Sequence, residues 1–356
     1  MIKKRKEKII ENLHQFDVDS IYLTNNKNIR YATGFSGSAG NAILSAAVSY
    51  FMTDFRYQEQ IKSEVNEYEH IVDKDMLKCL KSIDLLAKGG SIGFEADHLS
   101  VTQLTVLESN FPNVEWIKTN LVVERAAAIK DEMEIENISA ACKIIDEVFL
   151  HIIDVIKPGM TENEISAEIT YQSKLKGSEK DPFEPIIASG WRSALPHGIS
   201  TSKSIEIGDL LVLDFGATVN GYAGDMTRSV VVGEPNDKQR EIYDAVLGAQ
   251  EAAIDASIGG ITGAELDAVA RAHISNLQFG EYFGHALGHG LGLNVHSWPR
   301  VSEANKEQLL AGMIITIEPG IYIPDFGGVR IEDNILLTDE KSINLTGSSK
   351  EFISIG

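Results

Sequence analysis

One motif is written twice in this chain. Gly208-Asp209-Leu210-Leu211-Val212-Leu213-Asp214-Phe215-Gly216 matches Gly312-Met313-Ile314-Ile315-Thr316-Ile317-Glu318-Pro319-Gly320 position for position, so Asp214 and Glu318 hold the same place. Further on, Asp225 before Met226-Thr227-Arg228-Ser229-Val230 corresponds to Glu332 before Asp333-Asn334-Ile335-Leu336-Leu337. The flanks repeat too. Spacing predicts a long helix over Asp131–Ile156, with Ile135, Ile138, Ala141 and Ile145 on one face, and another over Asp237–Ser257. Lys157-Pro158-Gly159 and Gly259-Gly260 stop these helices, and Thr161-x-x-Glu164 and Thr262-x-x-Glu265 open the next ones as capping boxes. Two copies are too few for an open solenoid, so the repeat predicts a compact domain with pseudo-twofold symmetry. Each half then brings two acids from equivalent strand positions to one point.

The first copy fixes its own register. Apolar, β-rich segments flank Asn220-Gly221, the strongest short-range hairpin signal. With the turn there, Val219 pairs with Tyr222 and Asp214 lies opposite Thr227. Thr227 and Asp225 share a face because strand side chains alternate. Asp214 and Asp225 become diagonal neighbours, roughly 7–8 Å apart. Two unpaired carboxylates in a Val/Leu-rich sheet are costly. A divalent metal ion, or a pair of them, fits the gap.

Nitrogen donors come from the glycine-rich stretch Phe283–His296, which holds His285, His289 and His296. Four carboxylates and an imidazole make a hard, oxygen-rich set that favours Mn²⁺ or Co²⁺, with Zn²⁺ possible. Two such ions can share a water, lower its pKa toward ~7 and polarise a carbonyl, which is the chemistry of a hydrolase. An Asp closing a strand is ordinarily a turn or cap residue, and histidines among glycines can be loop packing. The conjunction of repeat, hairpin and histidine cluster is what points to a dimetal site.

At 356 residues the chain exceeds what one core usually holds. Residues 1–124 alternate helix-like and strand-like patterns, as an α/β domain does. Helices are predicted over Lys3–Gln15, Phe55–Val65, Lys74–Ala87 and Val101–Ser109. Strands are predicted over Ser20–Thr24, Asn41–Leu44, Ser49–Met52, Ser91–Glu95 and Val114–Ile117. The glycines of Gly34–Gly40 have no lysine partner for phosphate and read as a tight loop. Residues 125–356 form the second domain. The formal net charge of −20 argues against nucleic acid or an anionic membrane as partner. The basic start, Met1–Lys6, has no apolar core behind it, so a secretory signal is not expected, and no run is long enough to span a bilayer. Cys79 and Cys142, far apart and in no CxxC motif, read as thiols of a cytoplasmic protein.

At these residues the chain resembles the pita-bread metallopeptidases (methionine aminopeptidase, aminopeptidase P, prolidase and creatinase), and among them the bacterial and archaeal Xaa-Pro peptidases. The carrying segments are Ala188-Ser189-Gly190, Leu195-Pro196-His197-Gly198, the two-Asp hairpin, Gly288-His289-Gly290, Ile317–Tyr322 and Gly327–Asp333. The resemblance implies an α+β chain: a pita-bread catalytic domain preceded by a smaller α/β creatinase-like domain. It implies that Asp214 holds one metal, that Asp225 and Glu332 bridge both, and that His289 and Glu318 complete the second site. Glu318 would also be the proton-transfer partner of the shared hydroxide, and His296 would stabilise the tetrahedral intermediate. His197 and His285 would line the substrate pocket and assist proton transfer or proline binding. Arg330 would orient the acids, and Phe183 would form part of a proline pocket, although core packing suits Phe183 equally.

The implied activity is hydrolysis of the bond between an N-terminal residue and a following proline, in small peptides, by a homodimer. Ala286 and Ser297 depart from the family's usual Ser/Thr and Glu at these places, which touches fine specificity but removes no metal ligand. Two alternatives differ in class. A methionine aminopeptidase-like enzyme usually lacks the preceding domain. A non-hydrolytic pita-bread binding module typically loses ligands, and all five are here. Arg30, Arg56 and Arg192 are the cations considered for a substrate carboxylate.

Overall fold

In the N-terminal unit of the computed structural model, which describes all 356 residues, six strands make one sheet. They are β1 (Ser20–Leu23), β2 (Asn41–Ser45), β3 (Tyr50–Thr53), β4 (Glu69–Val72), β5 (Gly90–Glu95) and β6 (Val114–Thr119), in the order β4-β3-β2-β1-β5-β6. Only β2 runs against its neighbours. Helices Ile2–Leu13 and Val101–Asn110 form as the spacing predicts. The predicted helix Lys74–Ala87 is two pieces, Met76–Lys81 and Asp84–Lys88. Ser82 lies at the break, its hydroxyl donating to the Cys79 carbonyl at 2.7 Å, a local bond that competes with the helix ladder. Phe55–Val65 is likewise divided, into a 3₁₀ turn at Phe55–Tyr57 and a helix at Gln60–Glu64. This unit spans Met1–Ala127, and the second spans Ala128–Gly356.

The second unit carries β7 (Ile186–Ser189), β8 (Leu210–Val219), β9 (Tyr222–Val232), β10 (Gly288–Gly290), β11 (Ser297–Val301), β12 (Ile314–Ile317), β13 (Gly320–Ile323), β14 (Gly327–Arg330), β15 (Asp333–Leu336), β16 (Ile343–Asn344) and β17 (Ser354–Ile355). One sheet runs β17-β9-β8-β7, a second β11-β10-β12-β15-β16, and β13 pairs with β14 alone. The duplication is visible in the helices. Glu132–Val155 and Asp237–Ala256 are the long ones, and Glu162–Leu175 and Gly263–Asn276 follow them. Thr161 and Thr262 cap the followers with reciprocal bonds to Glu164 and Glu265. Just before each follower an isolated bridge recurs, Thr161 to Ser204 and Thr262 to Gln308.

Each long helix covers the sheet of its own half. Ile145, Val148, Phe149 and Ile152 pack with Leu211, Leu213 and Phe215. Val246, Ala249 and Ala253 pack with Ile315, Ile317 and Ile335. Because β8 alternates, Leu211, Leu213 and Phe215 on the helix side leave Asp214 on the opposite face. The predicted hairpin register holds: Val219 faces Tyr222, Asp214 faces Thr227 and Asp225 faces Gly216. Asn220 and Gly221 both have positive φ, 47° and 80°, as a type I′ turn requires.

The halves part company at Pro319. It lacks the N–H that would continue a ladder, and the second hairpin is split between two sheets. Ile317 faces Asp333 in one, and Gly320 faces Arg330 in the other. Glu332 sits in the gap, and its N–H is taken by the Thr227 carbonyl of the first half at 3.1 Å.

Candidate metal centre and substrate cleft

Ten residues singled out for metal, catalytic or proline contacts line one cleft of about 560 Å³: Phe183, His197, Asp214, Asp225, His285, His289, His296, Glu318, Arg330 and Glu332. At its floor, donor atoms of Asp225, His289 and Glu332 lie within 4.8 Å of one another, all three residues buried. His289 Nε2 is 3.3 Å from Glu318 Oε1 and 3.9 Å from Asp225 Oδ2. Asp214 joins through Arg330, whose Nη2 donates to its Oδ2 at 2.5 Å.

Local sequence explains why the imidazole fits. A Cβ on Gly288 would lie 2.0 Å from the Thr316 carbonyl oxygen, and one on Gly290 would lie 2.3 Å from that of Trp298. Glycine on both sides of His289 lets three strand segments close around it. The ring is then fixed: Nδ1 lies 3.0 Å from the Gly290 carbonyl, which can only accept, so Nδ1 carries the proton and Nε2 faces the acids. This is the tautomer of a neutral metal ligand.

The acids are arranged for a cation. Asp225 Oδ1 and Glu332 Oε1 are buried with no hydrogen-bond partner. Burial, and then the neighbouring Asp214, pushes the Asp225 carboxyl well above its usual range. Burial and the neighbouring Asp225 do the same to Glu332. Asp214 is also raised, because burial outweighs Arg330. Glu318 goes the other way: burial opposes ionisation, but His289 wins and holds it at about 2. His289 rises to about 9, since Glu318 and Asp225 overcome its burial. Buried, mutually repelling oxygens without donors are what a divalent cation satisfies, so the residues fit a metal site.

Around the floor runs a network that the sequence did not reveal. Thr227 Oγ1 donates to Glu332 Oε2 at 2.7 Å and accepts from Arg330 Nε at 3.1 Å. Arg330 Nη1 donates to the Tyr322 hydroxyl at 2.8 Å. Tyr322 in turn is 2.9 Å from His285 Nε2, and His285 Nδ1 is 2.8 Å from the Ala286 carbonyl. That carbonyl requires a proton on Nδ1, so Tyr322 donates to Nε2 and both nitrogens of His285 are engaged. Burial lowers the His285 pKa, in keeping with a neutral ring. His296 stands edge-on to His289, centroids 4.4 Å apart. Behind the acids, buried Arg228 donates to Asp333 at 2.6 Å and to the Glu332 carbonyl at 2.6 Å.

The cations weighed for a substrate carboxylate fare unevenly. Arg56 is locked to Asp54, and Arg192 to fully buried Glu162. Neither lines the cleft, nor does Arg30, whereas Arg300 does. Arg300 sits on β11, two residues past Trp298, outside every motif used above.

Comparison with known proteins shows the family. Residues 136–339 match metallopeptidase family M24, and residues 5–129 match the Creatinase/Prolidase N-terminal domain. The chain is 41% identical to a protein of Pyrococcus horikoshii named Xaa-Pro dipeptidase, over 99% of each. A solved structure titled Xaa-Pro dipeptidase from Bacillus anthracis superposes with a TM-score of 0.95 at 39% identity, covering all of both chains. The X-Pro aminopeptidase from Thermotoga maritima superposes at 0.89 with 36% identity, covering 97% of this chain and 100% of that one. No helix of this chain is long and apolar enough to cross a membrane.

Proposed function

Because the chain belongs to metallopeptidase family M24 and carries that family's Creatinase/Prolidase N-terminal domain, we propose that it is a metal-dependent exopeptidase cleaving Xaa-Pro peptides, dipeptides first among them. Asp214, Asp225, His289, Glu318 and Glu332 would hold two divalent cations. Their oxygen-rich composition favours Mn²⁺, with Co²⁺ or Zn²⁺ as alternatives. The observation carrying the reading is the pair of partnerless buried oxygens, on Asp225 and Glu332, beside an imidazole in ligand tautomer. When bound, such cations would lower the pKa of a water and polarise the scissile carbonyl.

The chain's own residues do the rest. Glu318 accepts a proton from the attacking water at a carboxylate oxygen, the Thr316 hydroxyl holding Oε1 at 3.0 Å. His296 donates to the oxygen that becomes negative. Burial, with His289 beside it, lowers the His296 pKa, which suits a neutral N–H donor. His197 reaches the substrate from the cleft wall. His285, with both nitrogens engaged, orients Tyr322 and Arg330 rather than moving a proton. Phe183, half-buried on the wall, offers an apolar face to the proline ring.

Arg300 supports the dipeptide preference. Its guanidinium can pair with the carboxylate that follows proline directly in Xaa-Pro and lies a residue further off in Xaa-Pro-Yaa. A homodimer belongs to the same proposal. The test is a length series, Xaa-Pro against Xaa-Pro-Yaa and longer, with Mn²⁺ and then Co²⁺. Highest kcat/KM on Xaa-Pro supports the reading. A preference for peptides without proline, or for longer ones, overturns it.

A further inference from the structure

Glu162 opens the helix Glu162–Leu175 and is fully buried, yet the chemistry above makes no use of it. An ionised side chain is rarely left at zero exposure unless partners hold it on every side. Its Oε1 accepts from the N–H and hydroxyl of Ser189, both at 2.9 Å. Its Oε2 accepts from the N–H of Thr201 at 3.0 Å and its hydroxyl at 2.7 Å. Arg192 Nε reaches both oxygens, at 3.2 and 3.1 Å. One carboxylate thus ties the two ends of the segment 189–201 to a helix terminus, and Arg192, held by it, donates onward to the Ile199 carbonyl at 2.6 Å.

What that segment carries matters. Pro196, His197 and Ile199 lie within it and form one wall of the cleft. His197 and Ile199 are exposed, so nothing packed above them fixes their place. The segment touches the metal centre once, where Arg330 Nη1 donates to the Pro196 carbonyl at 3.3 Å. Elsewhere it is held by its base and by two serines: Ser193 Oγ accepts the Gly328 N–H at 2.8 Å, and Ser200 Oγ accepts the Ile187 N–H at 3.1 Å and donates to the Pro185 carbonyl at 3.0 Å.

We propose that Glu162 is a positioning residue for hydrolysis: its buried carboxylate closes the base of the segment 189–201 and so aims His197 at the substrate over the metals. The inference rests on the role given to His197 above. It predicts that neutralising Glu162 misplaces the wall without disturbing the metal ligands, none of which lies between Glu162 and Thr201. A misplacement on the scale of an ångström costs about tenfold to a hundredfold in rate.

The experiment is a double-mutant cycle on the Mn²⁺-loaded enzyme with alanyl-proline as substrate: wild type, Glu162→Gln, His197→Ala and both together, with bound manganese counted in each. The expected result is a loss of about tenfold or more in kcat/KM for Glu162→Gln with unchanged metal content, and a change of less than about twofold when it is added to His197→Ala. Wild-type kcat/KM in Glu162→Gln, or the same loss in both backgrounds, overturns the inference, the latter marking a purely structural role. A wild-type His197→Ala removes the role of His197 itself and takes this inference with it, a failure readable apart from the others. Should Glu162→Gln not fold, Thr201→Val and Arg192→Lys take its place in the cycle. Each is expected to lose about threefold, again only when His197 is present, and no loss in either overturns the inference.

Discussion

Thr227 and Glu332, 105 residues apart in sequence, are joined twice: the Thr227 hydroxyl donates to Glu332 Oε2 at 2.7 Å, and the Thr227 carbonyl accepts the Glu332 N–H at 3.1 Å. Through this joint an acid of the second half meets Asp225 of the first. The repeat supplies equivalent acids, but convergence depends on the point where the symmetry breaks, at Pro319, and Glu332 leaves its own hairpin partner for Thr227.

Replacing Thr227 by Val keeps the shape and removes the hydroxyl. Glu332 Oε2 and Arg330 Nε then lose a buried partner, a cost of about 1–3 kcal/mol. We expect a lower Tm in the metal-stripped protein and weaker metal retention on dialysis. A variant that holds both ions with wild-type Tm contradicts the joint.

Glu318→Ala should lower kcat by orders of magnitude, because it removes the proposed metal ligand and proton acceptor together. Steady-state rates at saturating metal measure this. Near-normal turnover rejects both roles.

Tyr322→Phe breaks the line from Arg330 to His285 at its middle, leaving Arg330 Nη1 and His285 Nε2 without the hydroxyl. The proposed metal ligands are untouched. We expect kcat/KM to fall about tenfold or more while bound metal stays constant, and loss of metal instead would move Tyr322 from orienting the cleft to holding the ions.

Protons and cations compete for the same atoms. Asp225 and Glu332 are raised by burial and by neighbouring acids, and His289 is raised to about 9 against its burial. All three therefore bind protons more tightly when folded. That stabilisation is complete below the unfolded values, about 4 for the acids and 6.5 for the imidazole, and is lost as pH climbs through the folded ones. Metal binding needs the deprotonated forms. The rise in Tm on adding Mn²⁺ to chelator-treated protein should accordingly grow from pH 6 to pH 9. An increment that shrinks over this range contradicts the assignment.

What could be read from the sequence was local or periodic. The Asn220-Gly221 turn set the register of an entire hairpin, because I′ geometry admits few residues. Capping boxes at Thr161 and Thr262 marked helix starts, because their partners sit three residues away. The helix Asn26–Thr33 and the strand Glu69–Val72 went unread. The first is only two turns long, and the second is a mostly exposed edge strand with no alternation to detect. At the site, the four candidate acids stood out through the repeat, and His289 was singled out from three histidines by the family resemblance. Tyr322 lay inside a motif that carries the resemblance and Thr227 faced Asp214 in the predicted register, yet neither received a role, and Glu162 was not marked at all, since Glu332, His285, Ser189 and Thr201, which they bond, lie far along the chain. Arg192 looked available for a substrate until the structure placed it against Glu162.

Five side chains from two halves are proposed to hold two cations that the reaction requires. The direct measurement is Mn²⁺ titration by calorimetry into chelator-stripped protein, with Xaa-Pro dipeptide hydrolysis followed in the same samples. The prediction is two ions per chain, activity rising with occupancy, and loss of both in Asp225→Asn. Hydrolysis that persists in the stripped protein, or two ions still bound tightly by Asp225→Asn, would contradict it.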